Sequence, residues 1–101
     1  MKQRFSTFRE FYPFYLSEHA NRTSRRLHFT GSCGALLFVV AALARHDARW
    51  LLAAVACGYG FAWVGHFFFE KNRPATFQHP FYSLAGDWRM FLDILGGKMP
   101  F

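Results

Sequence analysis

Two long uncharged runs restrict the folds that are open to this chain. Residues 27–44 and 50–69 contain no Asp, Glu, Lys or Arg, and only the short charged segment 45–49 separates them. A helix needs about 20 apolar residues to cross the hydrocarbon core of a bilayer, and the second run reaches that length. The sequence therefore predicts an all-α integral membrane hairpin with two spans, forming one domain over residues 1–101.

A soluble alternative would bury the same hairpin inside a globular core. The chain has 101 residues, and little of it lies outside the two apolar runs. The remaining sequence is too short to wrap two such helices, so the membrane hairpin is the favoured prediction.

Positive charge is concentrated at the two ends of the chain. The net charge is +6, and of the 12 Lys and Arg residues only Arg45 and Arg49 flank the turn. By the positive-inside rule, both termini are expected on the cytoplasmic side. The basic residues flank apolar runs and form no single stripe, so anionic lipid headgroups are a simpler partner than nucleic acid.

Local patterns predict four helices, over about residues 5–19, 25–45, 49–70 and 83–95. The first and last are amphipathic and are expected to lie in the membrane interface. The spacing of Thr7 and Glu10 predicts a capping box at the start of the first helix. Pro13 is expected to kink or divide that helix.

Two histidines occupy matching positions in the two apolar runs. His28 and His66 each lie nineteen residues from residue 47, the centre of the predicted turn. A titratable group inside a membrane segment is costly, and it usually faces the protein interior and marks a site. The matching depth of the two histidines therefore predicts a metal or cofactor site at the cytoplasmic end of the hairpin.

Other candidate ligands are expected near the same end. His19 closes the apolar stripe of the first helix, and the break at residues 21–24 lets the chain reverse towards His28. Glu70 follows His66 by four residues and shares its helix face. His79 lies in the loop just beyond and is a further candidate. Each has an ordinary alternative: Glu70, for example, would pair with a nearby basic residue.

Histidines with one carboxylate and no thiolate suit Fe(II), or Zn, Mn or Ni by the same ligand preferences. Two other functions stay open at this point. Two histidines at one depth on facing helices are also typical of a haem-binding electron-transfer or sensor protein. A small membrane scaffold without catalysis is the third possibility. His46, in the charged turn, is expected to be an ordinary polar residue.

Two segments resemble the signature of a known family. They are His19-Ala20-Asn21 followed by His28, and Gly65-His66-x-x-x-Glu70-Lys71-x-Arg73-Pro74-Ala75. The resemblance covers residues 12–75 and is to the small membrane proteins that include the yeast endoplasmic-reticulum 2-hydroxy fatty acid dioxygenase.

This resemblance implies an Fe(II)-dependent enzyme of fatty-acid α-oxidation. Such an enzyme uses molecular oxygen to shorten a 2-hydroxy fatty acid by one carbon. The resemblance further implies that His19, His28 and His66 are the iron ligands and catalytic residues, with Glu70 nearby. The acyl tail is expected along the hairpin, among the aromatic residues Phe38, Trp63, Phe67 and Phe68.

Overall fold

A computed structural model describes residues 5–101, and every regular element in that range is helical. The α-helices are α1 (Phe8–Ser17), α2 (Arg22–Ala44), α3 (Trp50–Val64) and α4 (Pro80–Leu95). A π-helical segment, Gly65–Glu70, continues α3, and a 3-10 turn, Ala75–Phe77, precedes α4. The predicted all-helical class is confirmed for this part of the chain, whereas insertion as a membrane hairpin stays a prediction.

The first helix begins at the predicted cap. The Thr7 hydroxyl accepts a hydrogen bond from the Glu10 amide at 3.2 Å, and the Glu10 carboxylate accepts one from the Ser6 amide at 3.1 Å. Pro13 does not divide the helix, which continues to Ser17. Proline removes one backbone donor, and the burial of Phe11 on one side of Pro13 and of Tyr15 on the other holds both halves in place.

The two long helices approach each other closely where both carry small residues. A Cβ added to Gly31 of α2 would lie 2.7 Å from Phe61 Cβ of α3, and one added to Gly34 would meet Cys57 Sγ. Glycine therefore allows a backbone separation that a larger residue would prevent. α2 begins at Arg22, three residues earlier than predicted, because the Asn21 side chain accepts from the Ser24 amide and caps the helix.

Much of the surface of these helices is apolar and uncovered. Arg22–Ala44 and Trp50–Glu70 are long and apolar enough to cross a membrane, and only 22% and 17% of the two apolar windows is buried. Leu37, Leu43 and Leu52 are each more than two-thirds exposed, at 71%, 72% and 73%. A core helix of a soluble protein would be mostly buried, so this exposure supports the membrane prediction.

α4 packs against α1 and closes one end of the molecule. Phe11 and Tyr15 of α1 form a buried cluster with Met90 and Ile94 of α4. A Cβ added to Gly86 would lie 2.9 Å from the Tyr15 ring, so this glycine lets the two helices touch. α4 begins at Pro80, three residues earlier than predicted, since proline is favoured in the first turn of a helix.

The distribution of basic residues makes the topology testable. We expect an Ala48→Cys variant, made after Cys33 and Cys57 are replaced by Ala, to react with an impermeant maleimide only from the non-cytoplasmic side. The physical reason is that the terminal arms carry most of the positive charge, although Lys2 and Arg4 lie outside the described residues.

A matched Lys98→Cys variant reports on the terminal arm and is expected to react only from the cytoplasmic side. Both positions are exposed. Labelling of Ala48→Cys from the cytoplasmic side would contradict the predicted orientation.

Candidate metal centre

The structure brings together three of the predicted site residues, His19, His28 and His66. The ring centroid of His19 lies 5.4 Å from that of His28 and 4.5 Å from that of His66. All three side chains are buried, at 1%, 4% and 4% exposure. They come from the loop after α1, the second turn of α2 and the π-helical segment.

A close contact between α2 and the π-helical segment sets the level of two of these rings. A Cβ added to Gly65 would lie 2.8 Å from the Ser24 hydroxyl and 3.2 Å from Ser24 Cα. His28 follows Ser24 by four residues on the same helix face, and His66 follows Gly65 directly. The missing side chain at Gly65 thus lets the two helices approach at the level of their histidines, and the His19 ring contacts both His28 and His66.

Hydrogen bonds hold one ring nitrogen of each histidine. His19 Nδ1 donates to the Tyr15 carbonyl at 2.9 Å, and His28 Nε2 donates to Asp87 Oδ1 at 2.9 Å. His66 Nδ1 donates to Asn72 Oδ1 at 2.7 Å. Because a carbonyl or carboxylate oxygen only accepts, each of these nitrogens carries the proton in the neutral imidazole. The lone pairs then lie on His19 Nε2, His28 Nδ1 and His66 Nε2.

Two of these lone-pair nitrogens are buried without any partner. His19 Nε2 and His28 Nδ1 make no hydrogen bond within the described residues and are shielded from solvent. An unpaired buried polar atom costs about 1–3 kcal/mol, so natural proteins rarely retain one without a reason. Burial, together with repulsion from the other two histidines, lowers the pKa of His19 well below its ordinary value, which keeps its ring neutral and its lone pair free.

Asp87 and Tyr15 form a polar network around His28. The Tyr15 hydroxyl donates to Asp87 Oδ1 at 2.5 Å and lies 3.1 Å from His28 Nε2. Burial, reinforced by the adjacent Asp87 carboxylate, raises the pKa of the Tyr15 phenol well above its ordinary value, so the phenol stays protonated as a donor. Asp87 therefore accepts hydrogen bonds from both neighbours and fixes the orientation of the His28 ring.

Asn72 fixes the orientation of the His66 ring in a similar way. Its amide nitrogen donates to the Glu18 carbonyl at 3.1 Å and to the Glu18 carboxylate at 3.0 Å. These bonds settle which end of the Asn72 amide is oxygen, and that oxygen faces His66. The positive φ of Lys71, 58°, turns the chain so that Asn72 reaches back to His66.

The remaining sequence candidates lie in other surroundings. Both Glu70 oxygens accept from the Asn21 backbone amide at 3.0 Å, so this carboxylate ties the π-helical segment to the start of α2. The His79 ring packs among Phe5, Phe11 and Phe14, with centroids 5.3, 5.5 and 6.4 Å away.

His46 is exposed in the turn between α2 and α3 and adopts a positive φ of 51°. Its position therefore fits the prediction of an ordinary polar residue.

The donor chemistry of the cluster fits a metal ion, although the rings do not yet converge on one point. Within residues 5–101, no three His, Cys, Asp or Glu side chains stand at metal-binding geometry. Holding an ion would therefore require the three side chains to shift together until their lone pairs converge, with the supporting hydrogen bonds kept. The three free lone pairs, two of them orphaned by burial, supply the ligands for such a rearrangement.

Sequence reasoning missed the residues that hold the histidines, namely Tyr15, Asn72 and Asp87. Tyr15 precedes His19 by four residues on the same helical stripe, so its spacing was a usable signal. Asn72 follows the predicted end of the third helix and needed knowledge of the π-helical turn. Asp87 is 59 positions from His28, and nothing local in the sequence indicates that contact.

Comparison with known families gives a match over nearly the whole chain. The model of the family described as 2-hydroxy-palmitic acid dioxygenase Mpo1-like matches residues 5–99, and so includes every residue of the histidine cluster and its polar network. Comparisons with curated proteins and with solved structures gave no match. The extent of the family match, nearly the whole chain, means that this protein belongs to the Mpo1-like family.

Proposed function

We propose that this protein is a membrane-embedded, non-haem Fe(II) dioxygenase that shortens 2-hydroxy fatty acids by one carbon. The observation that carries the proposal is the set of three buried histidines, each with one nitrogen fixed by an acceptor and the other left with a free lone pair. The family description names a dioxygenase of a 2-hydroxy fatty acid, which favours iron among the metals that such ligands accept.

In this proposal His19, His28 and His66 hold the iron through Nε2, Nδ1 and Nε2 respectively. Bound Fe(II) would supply the redox chemistry that molecular oxygen needs to cleave the bond between C1 and C2. The protein contributes a dry site, because all three rings are nearly inaccessible to solvent. It also contributes orientation, because each ligand has a hydrogen-bonded support on its other nitrogen.

The haem alternative has less support than the non-haem site. A haem with two histidine ligands needs a flat gap between the two imidazoles. The His19 ring contacts the rings of both His28 and His66, at 5.4 and 4.5 Å between centroids. The His19 ring therefore takes up space beside both His28 and His66, the two potential axial ligands of a haem.

Replacing any one of the three histidines by Ala should lower bound iron and abolish turnover of a 2-hydroxy fatty acid. Each replacement removes a third of the protein ligands in the proposed site. The measurements are metal analysis of anaerobically purified protein and product detection by mass spectrometry. His46→Ala, in the exposed turn, is the control and should change neither value. Full iron occupancy in His28→Ala would reject that ligand assignment.

Asp87→Asn tests the positioning of His28. We expect iron affinity to fall by about 10- to 100-fold, because supports of this kind typically contribute that much to a metal site. The matched control is Asp93→Asn on the same helix, whose carboxylate instead accepts from the Tyr12 hydroxyl at 2.7 Å.

Competition with a ferrous chelator gives the affinity, and thermal unfolding in detergent reports on the fold. Equal iron affinity in both variants would assign Asp87 a purely structural role.

Glu70→Gln separates a ligand from a structural carboxylate. Because both Glu70 oxygens accept from the Asn21 amide, we expect the variant to retain iron. Its free energy of unfolding should fall by about 1 kcal/mol, because the Gln amide oxygen can still accept from Asn21 but the bond loses its charge assistance. Denaturant unfolding and metal analysis give the two values. Loss of iron with an unchanged unfolding transition would instead make Glu70 a ligand.

A further inference from the structure

A groove of about 210 Å³ runs between α2, α3 and α4, beginning at the histidine cluster. His28 and Asp87 line its polar end, and Ala35 and Gly58 line its middle. Val39 and Val55 line its far end, nearest the turn between α2 and α3. We call this the α2–α3–α4 groove.

The charged and histidine groups of the groove lie at one end. Beyond His28, Asp87 and the Ser32 hydroxyl, its lining is mostly apolar, apart from the polar tips of Tyr59 and Trp88. A ligand that fits it must therefore carry its polar atoms at one end and a hydrocarbon body behind them. A 2-hydroxy fatty acid has this distribution, with its carboxylate and hydroxyl on C1 and C2.

The length of the groove suits a long acyl chain. His28 and Val39 are eleven residues apart on α2, which corresponds to about 16 Å along a helix. A saturated chain advances about 1.3 Å per carbon, given bonds of about 1.5 Å and near-tetrahedral angles. The span from His28 to Val39 thus matches roughly a dozen methylene groups.

Small residues keep the floor of the groove open. Ala35 and Ala54 are buried, and a Cβ added to Gly58 would approach only Ala35, at 3.7 Å. The rim is different, because Val55 and Leu84 are 57% and 46% exposed. The groove therefore opens sideways from the helix bundle, which in a bilayer is the direction from which a membrane-dissolved amphiphile arrives.

We propose that the α2–α3–α4 groove holds the acyl chain of the substrate, and that Val39 and Val55 at its far end set the chain-length preference. This inference rests on the proposed dioxygenase function for the identity of the head group. It replaces the aromatic tail path expected from the sequence, because Phe38, Trp63, Phe67 and Phe68 do not line the groove. Phe68, for example, is 70% exposed.

Val39→Trp should shorten the groove and change the chain-length profile. Turnover of 2-hydroxyhexadecanoic acid is expected to fall by about tenfold or more relative to 2-hydroxyoctanoic acid, whose tail ends before residue 39. Val40→Trp is the matched control, because Val40 is adjacent but 61% exposed and outside the groove. An unchanged length profile in Val39→Trp, with normal turnover, would overturn the proposal.

A second measurement does not depend on turnover. A 2-hydroxy fatty acid with a photoreactive diazirine at its terminal carbon is bound to the wild-type protein, irradiated, and the labelled residues are mapped by mass spectrometry. Labelling near Val39 and Val55, blocked by unlabelled 2-hydroxy acid, supports the groove even in a preparation without dioxygenase activity. Labelling around Trp63 and Phe67 in an active preparation rejects the groove while leaving the proposed function intact.

The same labelling experiment tests the competing occupants. If excess phosphatidylcholine displaces the probe as well as 2-hydroxy acid does, the groove is a general lipid crevice and the proposal fails. If the probe joins two copies of the chain, the groove is an interface between protomers, and the proposal fails as well.

Discussion

The contact between Ser24 and Gly65 is the constraint on which the candidate site depends. It sets the distance between α2 and the end of α3 at the level where both helices carry a histidine. A side chain at position 65 would push α2 away at Ser24, one turn before His28. Further along α2 and α3, the same close spacing is maintained by Gly31, which lies beside Phe61, and by Gly34, which lies beside Cys57. Together, these small residues fix the distance between the two helices and therefore the separation of the histidine rings.

The end of α3 departs from a regular α-helix, and this departure positions two side chains near the histidine cluster. The π-helical turns from Gly65 to Glu70 and the left-handed Lys71 redirect the chain immediately after His66. Asn72 can then return to the His66 ring, and Glu70 can reach the Asn21 amide at the start of α2. π-Helical turns often occur at functional sites, and here the turn supplies both a positioning partner and a tie between helices.

The sequence predicted the parts of the fold that depend on local pattern. The Thr7 cap, the two long apolar helices and the turn at 45–49 follow from spacing and composition, and the structure contains each of them. The grouping of His28 with His66 also followed, because equal distance from a turn places residues at one level.

Other parts were set by contacts between distant segments and could not be read from local pattern. The position of α4 depends on Gly86 meeting the Tyr15 ring, a contact between residues 71 positions apart. That packing also decides the place of Asp87. The aromatic residues expected to contact the acyl tail do not line the groove, which lies where Ala and Gly leave space between the helices.

The energetics of the cluster favour the proposed site over ordinary packing. Three buried imidazoles lose contact with water, and the orphaned nitrogens of His19 and His28 recover nothing within the described part of the chain. A core selected only for stability would replace them with apolar side chains, because unpaired buried polar atoms are costly. The hydrogen-bond acceptors on the opposite ring nitrogens lower the free-energy cost of burying the imidazoles. They also keep each lone pair on the side of the ring that faces away from the acceptor. The α2–α3–α4 groove begins at the same His28 and Asp87, so the buried polar cluster and the space for a ligand meet at one point.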